Sequence, residues 1–409
     1  MRSQLPWMFA AALAGLFGLA AADGPREGES AGAASAQSCL APAAWTVPDG
    51  DRSRVTSAAT LFAQLAKRDV VLLGENHDQL DHHRWQLQSL AALYAQRPDM
   101  VIGFEMFPRR VQPALDRWVA GELTAEQFLK QSEWEEVWSI PADAYLPLFQ
   151  FARINRIPMI ALNIDSKLNK AVNAKGWDAI PEAEREGVGR PAPPSKAYRD
   201  FLFDIWRDHA PANAAEEGKS KTKADERAFE YFVEAQTTWD RAMAEALARN
   251  VRAGSTAGKP LVVGIMGSGH IRFGEGVPHQ LRALGVKSIG ALLPVPFDLA
   301  CDELRPGLAD AVFAVPQVAT AKPEPPRLGI RLEENEGAVR ISNVTAGSLA
   351  DRTGLKAGDR IVEIAGVEAK KLTPVIAAIR QQPAGTWLPM RVKRGGETFD
   401  LVVKFPPKS

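Results

Sequence analysis

Short apolar runs alternating with amphipathic helical stretches constrain this chain more than any other feature. Residues 70–73, 100–104, 158–163, 261–265 and 288–293 are four to six positions long, too short for buried helices, and read as buried strands. Between the first two, His83, Leu87, Leu90, Ala91 and Tyr94 recur at helical spacing. Helical patterns also precede Val70 and fill residues 109–153. A strong helix over 224–249 carries Phe229, Phe232, Val233, Gln236, Asp240, Met243 and Leu247 along one face. Strand and helix in alternation predict an α/β fold, a largely parallel sheet flanked by helices.

The pattern breaks twice. Residues 174–223, with Pro181, Pro191, Pro193 and Pro194, read as an irregular insertion followed by a short helix around 198–208. Residues 314–326 hold Pro316, Pro323, Pro325 and Pro326, a stiff linker. Beyond it, strands at 339–344, 360–364, 388–393 and 398–403 with one helix at 374–380 predict a small β-rich domain over 327–405. The α/β domain is then 45–313.

At the front, Arg2 precedes an apolar run from Leu5 to Ala22 that ends in small residues, the layout of a secretory signal. Residues 1–22 are accordingly read as a signal peptide and 23–44 as a flexible segment, with an uncleaved anchor as the alternative. The 49 basic residues cancel the 49 acidic ones, which leaves no electrostatic footprint for nucleic acid. The only two cysteines, Cys39 and Cys301, are a disulfide candidate in an oxidising compartment, closing a loop on the order of 4–5 kcal/mol. Cys39 follows Ala36-Gln37-Ser38, a poor lipoprotein site, so a periplasmic or membrane-associated protein is expected without a lipid anchor.

In a parallel sheet the loops leaving the strand C-termini gather on one edge. That rule brings together Glu75 and His77 after the first strand, Glu105 after the second, Asn163 after the third, and His270 after the fourth. An ionised Glu105 between Phe104 and Met106 needs a partner, and Arg109 or Arg110 could supply a structural ion pair. His83 falls on an apolar helix face and reads as a packed, hydrogen-bonded histidine. His82 and His209 are expected to face solvent, and His279 fits either role. The glycines at 267, 269, 274 and 276 do not meet the dinucleotide spacing. Two imidazoles among carboxylates suit a divalent metal that activates water. The same edge could house a flat apolar cofactor, and Tyr145, near Trp134 and Trp138, is the most suggestive phenol because tyrosinate ligates ferric haem.

GENHDQLDHHRWQ (74–86), GFEMFPRR (103–110), FVEAQTTWDRAMA (232–244) and GIMGSGHIRFGEGVPHQL (264–281) together resemble the ChaN family of haem-binding proteins, related to Tiki, TraB and the erythromycin esterases. The resemblance covers roughly 45–313. It implies an α/β domain outside the cytoplasm and non-covalent binding of a cofacial haem pair in a pocket made by a homodimer. Its paired GxxH motifs fall on Gly74/His77 and Gly267/His270, with Glu75 and Glu105 as acidic partners and Gln236 and Asp240 facing the same cleft. Tyr145 is the nearest candidate for the family's tyrosine ligand. RLGIRL (327–332) and ISNVTAGSLADRTGLKAGDRIVEIAG (341–366) resemble an HtrA-type PDZ domain. That resemblance implies capture of a protein or peptide C-terminus by Leu328, Gly329 and Ile330, with an extended peptide added to a strand edge.

Three functions follow as expectations. The first is an exported haem-binding protein, in haem or iron uptake, whose PDZ module recruits a partner. The second is a metal-dependent hydrolase in which His77, His270, Glu75 and Glu105 hold the metal or activate water, with Glu75 or Glu105 as base. The third is an inert PDZ scaffold.

Overall fold

A computed structural model describes residues 39–138, 140–209, 223–252, 259–315, 327–335, 337–380 and 382–407. The signal segment 1–22, the flexible segment up to 38 and nearly all of the linker lie outside the described residues, as does the side chain of His209. The chain divides into two compact units between positions 318 and 319.

The first unit is built on eight strands: β1 (Trp45–Val47), β2 (Arg54–Thr56), β3 (Val70–Leu73), β4 (Met100–Pro108), β5 (Met159–Asn163), β6 (Leu261–Ile265), β7 (Ile289–Pro296) and β8 (Ala311–Val315). They lie in the order β2-β1-β8-β7-β3-β6-β4-β5. From β8 to β5 every neighbouring pair is parallel. Only β1 and β2 run antiparallel, along the β8 edge.

Both faces of the central strands are buried, and their alternation shows where each side chain goes. Val71 and Leu73 of β3 join one core, with Leu90 and Leu93 of the helix Leu80–Gln96 and Leu148 and Phe149 of the helix Leu146–Ile154. Val70 and Leu72 join the other, against Met243, Leu247 and Val251 of the helix Lys223–Arg252. This period-two division explains why the strands read as unbroken apolar runs. A disulfide joins Cys39 to Cys301 across 262 positions.

The insertion is held at its end by Gln280, whose amide accepts from Ala192 N and donates to Ala192 O, both at 2.8 Å. It then runs into the helix Lys196–His209.

The second unit contains β9 (Ile330–Asn335), β10 (Ala338–Val344), β11 (Arg360–Ile364), β12 (Val367–Glu368), β13 (Trp387–Arg394) and β14 (Glu397–Lys404). Its strands pair antiparallel in the order β14-β13-β11-β10-β9, with β12 on β11. Ser348 caps the short helix Leu349–Thr353, which Gly354 ends in the left-handed region. Asp359 is buried and receives the guanidinium of Arg394 at 2.7 and 2.8 Å, so its carboxyl, which burial alone would push up, is held below the usual range.

Candidate functional site

The parallel strands deliver Glu75, His77, Glu105 and His270 to one edge, where they form two carboxylate–imidazole pairs. In the first, Glu75 Oε1 accepts from His77 Nδ1 at 2.6 Å and from the Tyr145 hydroxyl at 2.5 Å. Its other oxygen accepts from Gln86 Nε2 at 2.8 Å, with His83 Nδ1 at 3.4 Å. Burial would push Glu75 up, but the hydrogen bonds and charges of His77 and His83 prevail and hold it well below the carboxylate range. His77 mirrors this: burial opposes its charge, yet Glu75 and the nearby charge of Glu105 raise it to about 9.

In the second pair, His270 Nδ1 lies 2.7 Å from Asp240 Oδ1, and the other Asp240 oxygen accepts from the Tyr198 hydroxyl at 2.8 Å. Burial works against a charged His270, but Glu105 and Asp240 raise its pKa. Glu105 stands between the pairs. One of its oxygens accepts from Gly267 N at 2.7 Å, and the other lies 3.7 Å from His270 Nε2. That second oxygen is buried without a hydrogen-bond partner. A buried carboxylate oxygen left unpaired is costly, and such atoms mark a place where a ligand or water completes the site.

An Nδ1 facing a carboxylate must carry the proton, so each Nε2 is left as the working nitrogen. The two side chains are 13% and 10% exposed, and neither Nε2 is among the sealed, unpartnered atoms. Aromatic edges frame them: Trp138 lies 4.8 Å from His77 and Trp239 5.0 Å from His270, both edge-on. Glycine is required in the loops. A Cβ on Gly276, at φ +55, would lie 2.4 Å from the His270 carbonyl; one on Gly74 would lie 2.7 Å from Ser268 Oγ.

Several expectations need correction. Tyr145 is fully buried, stacked against Phe149, and its hydroxyl is spent on Glu75. Burial, then the charge of Glu75, push the phenol well above its ordinary value, so it is a support for Glu75 rather than a free phenolate. The partner of Glu105 is the Gly267 amide, not Arg109 or Arg110. Arg109 turns away to the carbonyls of Glu186 and Ala242 and to Glu245, and Arg110 pairs with Glu133 and Asp165. His82 is buried rather than solvent-facing: its Nδ1 accepts from Asn76 N at 2.8 Å, and burial lowers it to about 4.

Asn163 donates to the Glu105 carbonyl at 2.9 Å and so holds the backbone beneath that carboxylate. Gln236 is half-buried on the long helix, and among the described residues no hydrogen bond ties it to the cluster. His83 is the packed histidine its helix face implied. Both its nitrogens face acceptors, Gln86 Oε1 at 3.3 Å and the His77 carbonyl at 3.0 Å, and its pKa is raised by Glu75 against the effect of burial. Sequence reasoning missed Gln86 and Tyr198. Gln86 lies one helical turn beyond His83, a spacing that could have revealed it; Tyr198 sits in a helix with no local sign of its partner.

Among the described residues, three or more His, Cys, Asp or Glu donors converge only at Cys39, Asp51 and Cys301, and the two sulfurs are bonded to each other. In the second unit, Leu328 is buried, Ile330 half-buried, and Gly329 lies at φ +80. Strand β9 pairs only with β10, which leaves its other edge open among the described residues.

A family model described as haem-binding uptake, Tiki superfamily, ChaN matches residues 61–281, and a PDZ domain model matches 326–405. No curated protein matches the chain. Among solved structures, ChaN of Campylobacter jejuni, described with cofacial haem binding, is similar at 19% identity, covering 66% of this chain and 96% of that one with a TM-score of 0.49. The HtrA-type protease AlgW with a decapeptide is 19% identical over 20% of this chain and 29% of its own, TM-score 0.19. The HtrA3 PDZ domain bound to a phage-derived ligand is 19% identical over 19% of this chain and 82% of its own, TM-score 0.18.

Proposed function

From the premise that this chain belongs to the ChaN haem-binding family and continues into a PDZ domain, we propose that it is an exported protein of haem or iron uptake. Haem binds at the rim, and the PDZ domain recruits a protein C-terminus. One observation carries the first half: two imidazoles, each tethered through Nδ1 to a buried carboxylate, keep a solvent-reachable Nε2 beside the unpartnered oxygen of Glu105. A carboxylate behind an imidazole fixes its tautomer and strengthens it as a Lewis base. His77 and His270 are therefore the residues that would hold iron, and the haem would supply the iron chemistry. The protein's own part is to orient the two rings; on ligation His270 Nε2 would pass its proton to the Glu105 oxygen 3.7 Å away, and His77 Nε2 would release its proton to the solvent it faces. Export is supported by the disulfide, which persists in oxidising compartments.

The PDZ half rests on the open edge of β9 and the left-handed Gly329, which together suit a terminal carboxylate and an added strand. Haemin titration of the purified protein tests the first half. A saturable Soret shift that is weakened in His77→Ala or His270→Ala is expected. No Soret shift refutes haem binding, and unchanged spectra in both variants remove the histidines as ligands.

A hydrolytic reading draws on the same Glu105 oxygen, positioned to accept a proton from a water between the imidazoles. It predicts stoichiometric divalent metal in the purified protein and turnover of a peptide or ester that Glu105→Gln abolishes.

A further inference from the structure

Beyond His270 the chain makes an unusual turn. Phe273 lies at φ 57, the left-handed region, and Gly274 follows at φ 70. An aromatic residue adopts that conformation only where its surroundings hold it there. The turn sets the Phe273 ring near two guanidiniums: Arg272 5.4 Å and Arg305 4.8 Å from the ring centre. Arg272 also lies 5.5 Å from the ring of Phe201, which stacks 6.1 Å from Tyr198, the residue that holds Asp240 behind His270. A continuous series of contacts thus leads from the His270 imidazole to the arginine pair.

The backbone carbonyls of Arg272 and Arg305 accept from Glu275 N and Leu308 N, but among the described residues no hydrogen bond or ion pair engages either guanidinium, although Arg272 is half-buried. Glu303 is the acid that acts on Arg272, yet it forms no ion pair with it, and the charge of Arg305 opposes that of Arg272. Most arginines around the rim are satisfied: Arg109, Arg110 and Arg241 all have carboxylate partners. Two adjacent, aromatic-backed forks with all their donors free make a receptor for planar anions.

We propose that Arg272 and Arg305, with Phe201 and Phe273 as the apolar floor, bind the carboxylates of a flat, dianionic ligand, the two propionates of haem. This assignment rests on the haem reading of the rim and adds to it the residues that recognise the ligand's charged edge. Aromatic rings meet the apolar body of the ligand while the guanidiniums meet its acids, a division suited to an amphipathic disc.

The test titrates the full-length protein with haemin and with haemin dimethyl ester, whose carboxylates are blocked, and follows the Soret band. Haemin is expected to bind about ten-fold more tightly than the ester, a preference that shrinks with rising salt. Arg305→Gln, an exposed position that leaves the core untouched, is expected to lose about the same factor for haemin and nothing for the ester. Arg272→Gln should act likewise, and Arg272→Lys should recover only part of the loss because it lacks the fork. Equal affinity for haemin and ester, with both glutamine variants like wild type, overturns the arginine assignment and leaves haem binding standing. Absence of any Soret shift in the wild-type protein overturns both.

Discussion

Replacing Tyr145 with Phe separates a structural role from a ligand role. The hydroxyl donates to Glu75 Oε1 at 2.5 Å inside a sealed aromatic cluster with Trp134, Trp138 and Phe149. Phe fills nearly the same volume, so the ring packing persists and the perturbation is one lost hydrogen bond to a buried carboxylate. Bonds to charged groups contribute about 1.5–3 kcal/mol. Glu75 keeps His77 and Gln86 as donors, which places the loss near the middle of that range, about 2 kcal/mol. For a unit of this size that corresponds to a fall of about 3–4 °C in Tm. Thermal melts of both proteins give this number, and a haemin titration at 25 °C, where both are folded, should give the same Soret band and stoichiometry. A variant as stable as wild type would show that the phenol–carboxylate bond adds nothing. A folded variant that loses the Soret band would place the phenol on iron and refute the reasoning.

Four further outcomes are expected. Because His77 is raised to about 9 by its carboxylate, its contribution is complete below about pH 6.5 and disappears as pH rises through about 9. That is a loss of up to about 3 kcal/mol, read from melts across that range and reduced in His77→Asn, where His83 and His270 still contribute; a flat wild-type profile contradicts it. Gly276→Ala adds a Cβ 2.4 Å from a backbone carbonyl at a positive φ, so it should destabilise by about 2 kcal/mol or more and weaken haem binding with it. Cys39→Ser opens a loop of 262 residues and should cost about 5 kcal/mol, matched by reducing the wild type with dithiothreitol before denaturation. Gly329→Ala, whose Cβ would meet Ser348 Cβ at 2.3 Å, should abolish capture of a hydrophobic C-terminal peptide in fluorescence anisotropy while leaving the Soret titration unchanged.

What the sequence disclosed and what it hid divide along physical lines. Strands β3 to β7 were legible because parallel strands buried on both faces are unbroken apolar runs. The short strands β1 and β2 at the antiparallel end of the sheet were not, since Trp45–Val47 and Arg54–Thr56 are three residues each and pair antiparallel. The strand-end rule gathered Glu75, His77, Glu105 and His270, because that rule depends only on chain direction. It could not name their partners. Asp240 reaches His270 from a helix 30 residues earlier, and Tyr145 reaches Glu75 across 70. Such pairings depend on how helices dock, which a linear pattern does not encode. His82 shows the same limit: its neighbours look polar, but the helix start turns it inward to cap the Asn76 amide.

The partner assignments also change what the rim can do. Had Arg109 neutralised Glu105, the acid would be a closed ion pair and the edge an ordinary piece of surface electrostatics. Glu105 instead takes only a backbone amide, and one of its oxygens stays unpaired between two imidazoles whose other nitrogens are fixed by Glu75 and Asp240. Tyr145 and Tyr198 each stand behind one of those fixing carboxylates, so the two halves repeat the same order of phenol, carboxylate and imidazole. Burying a carboxylate is tolerated when it is paired and hydrogen-bonded, which an imidazole and a phenol accomplish at each site, and the pairing leaves each Nε2 at the front. The repeated arrangement therefore argues for a ligand that engages the two imidazoles from the solvent side, a demand that a scaffold with an inert rim would have no reason to meet.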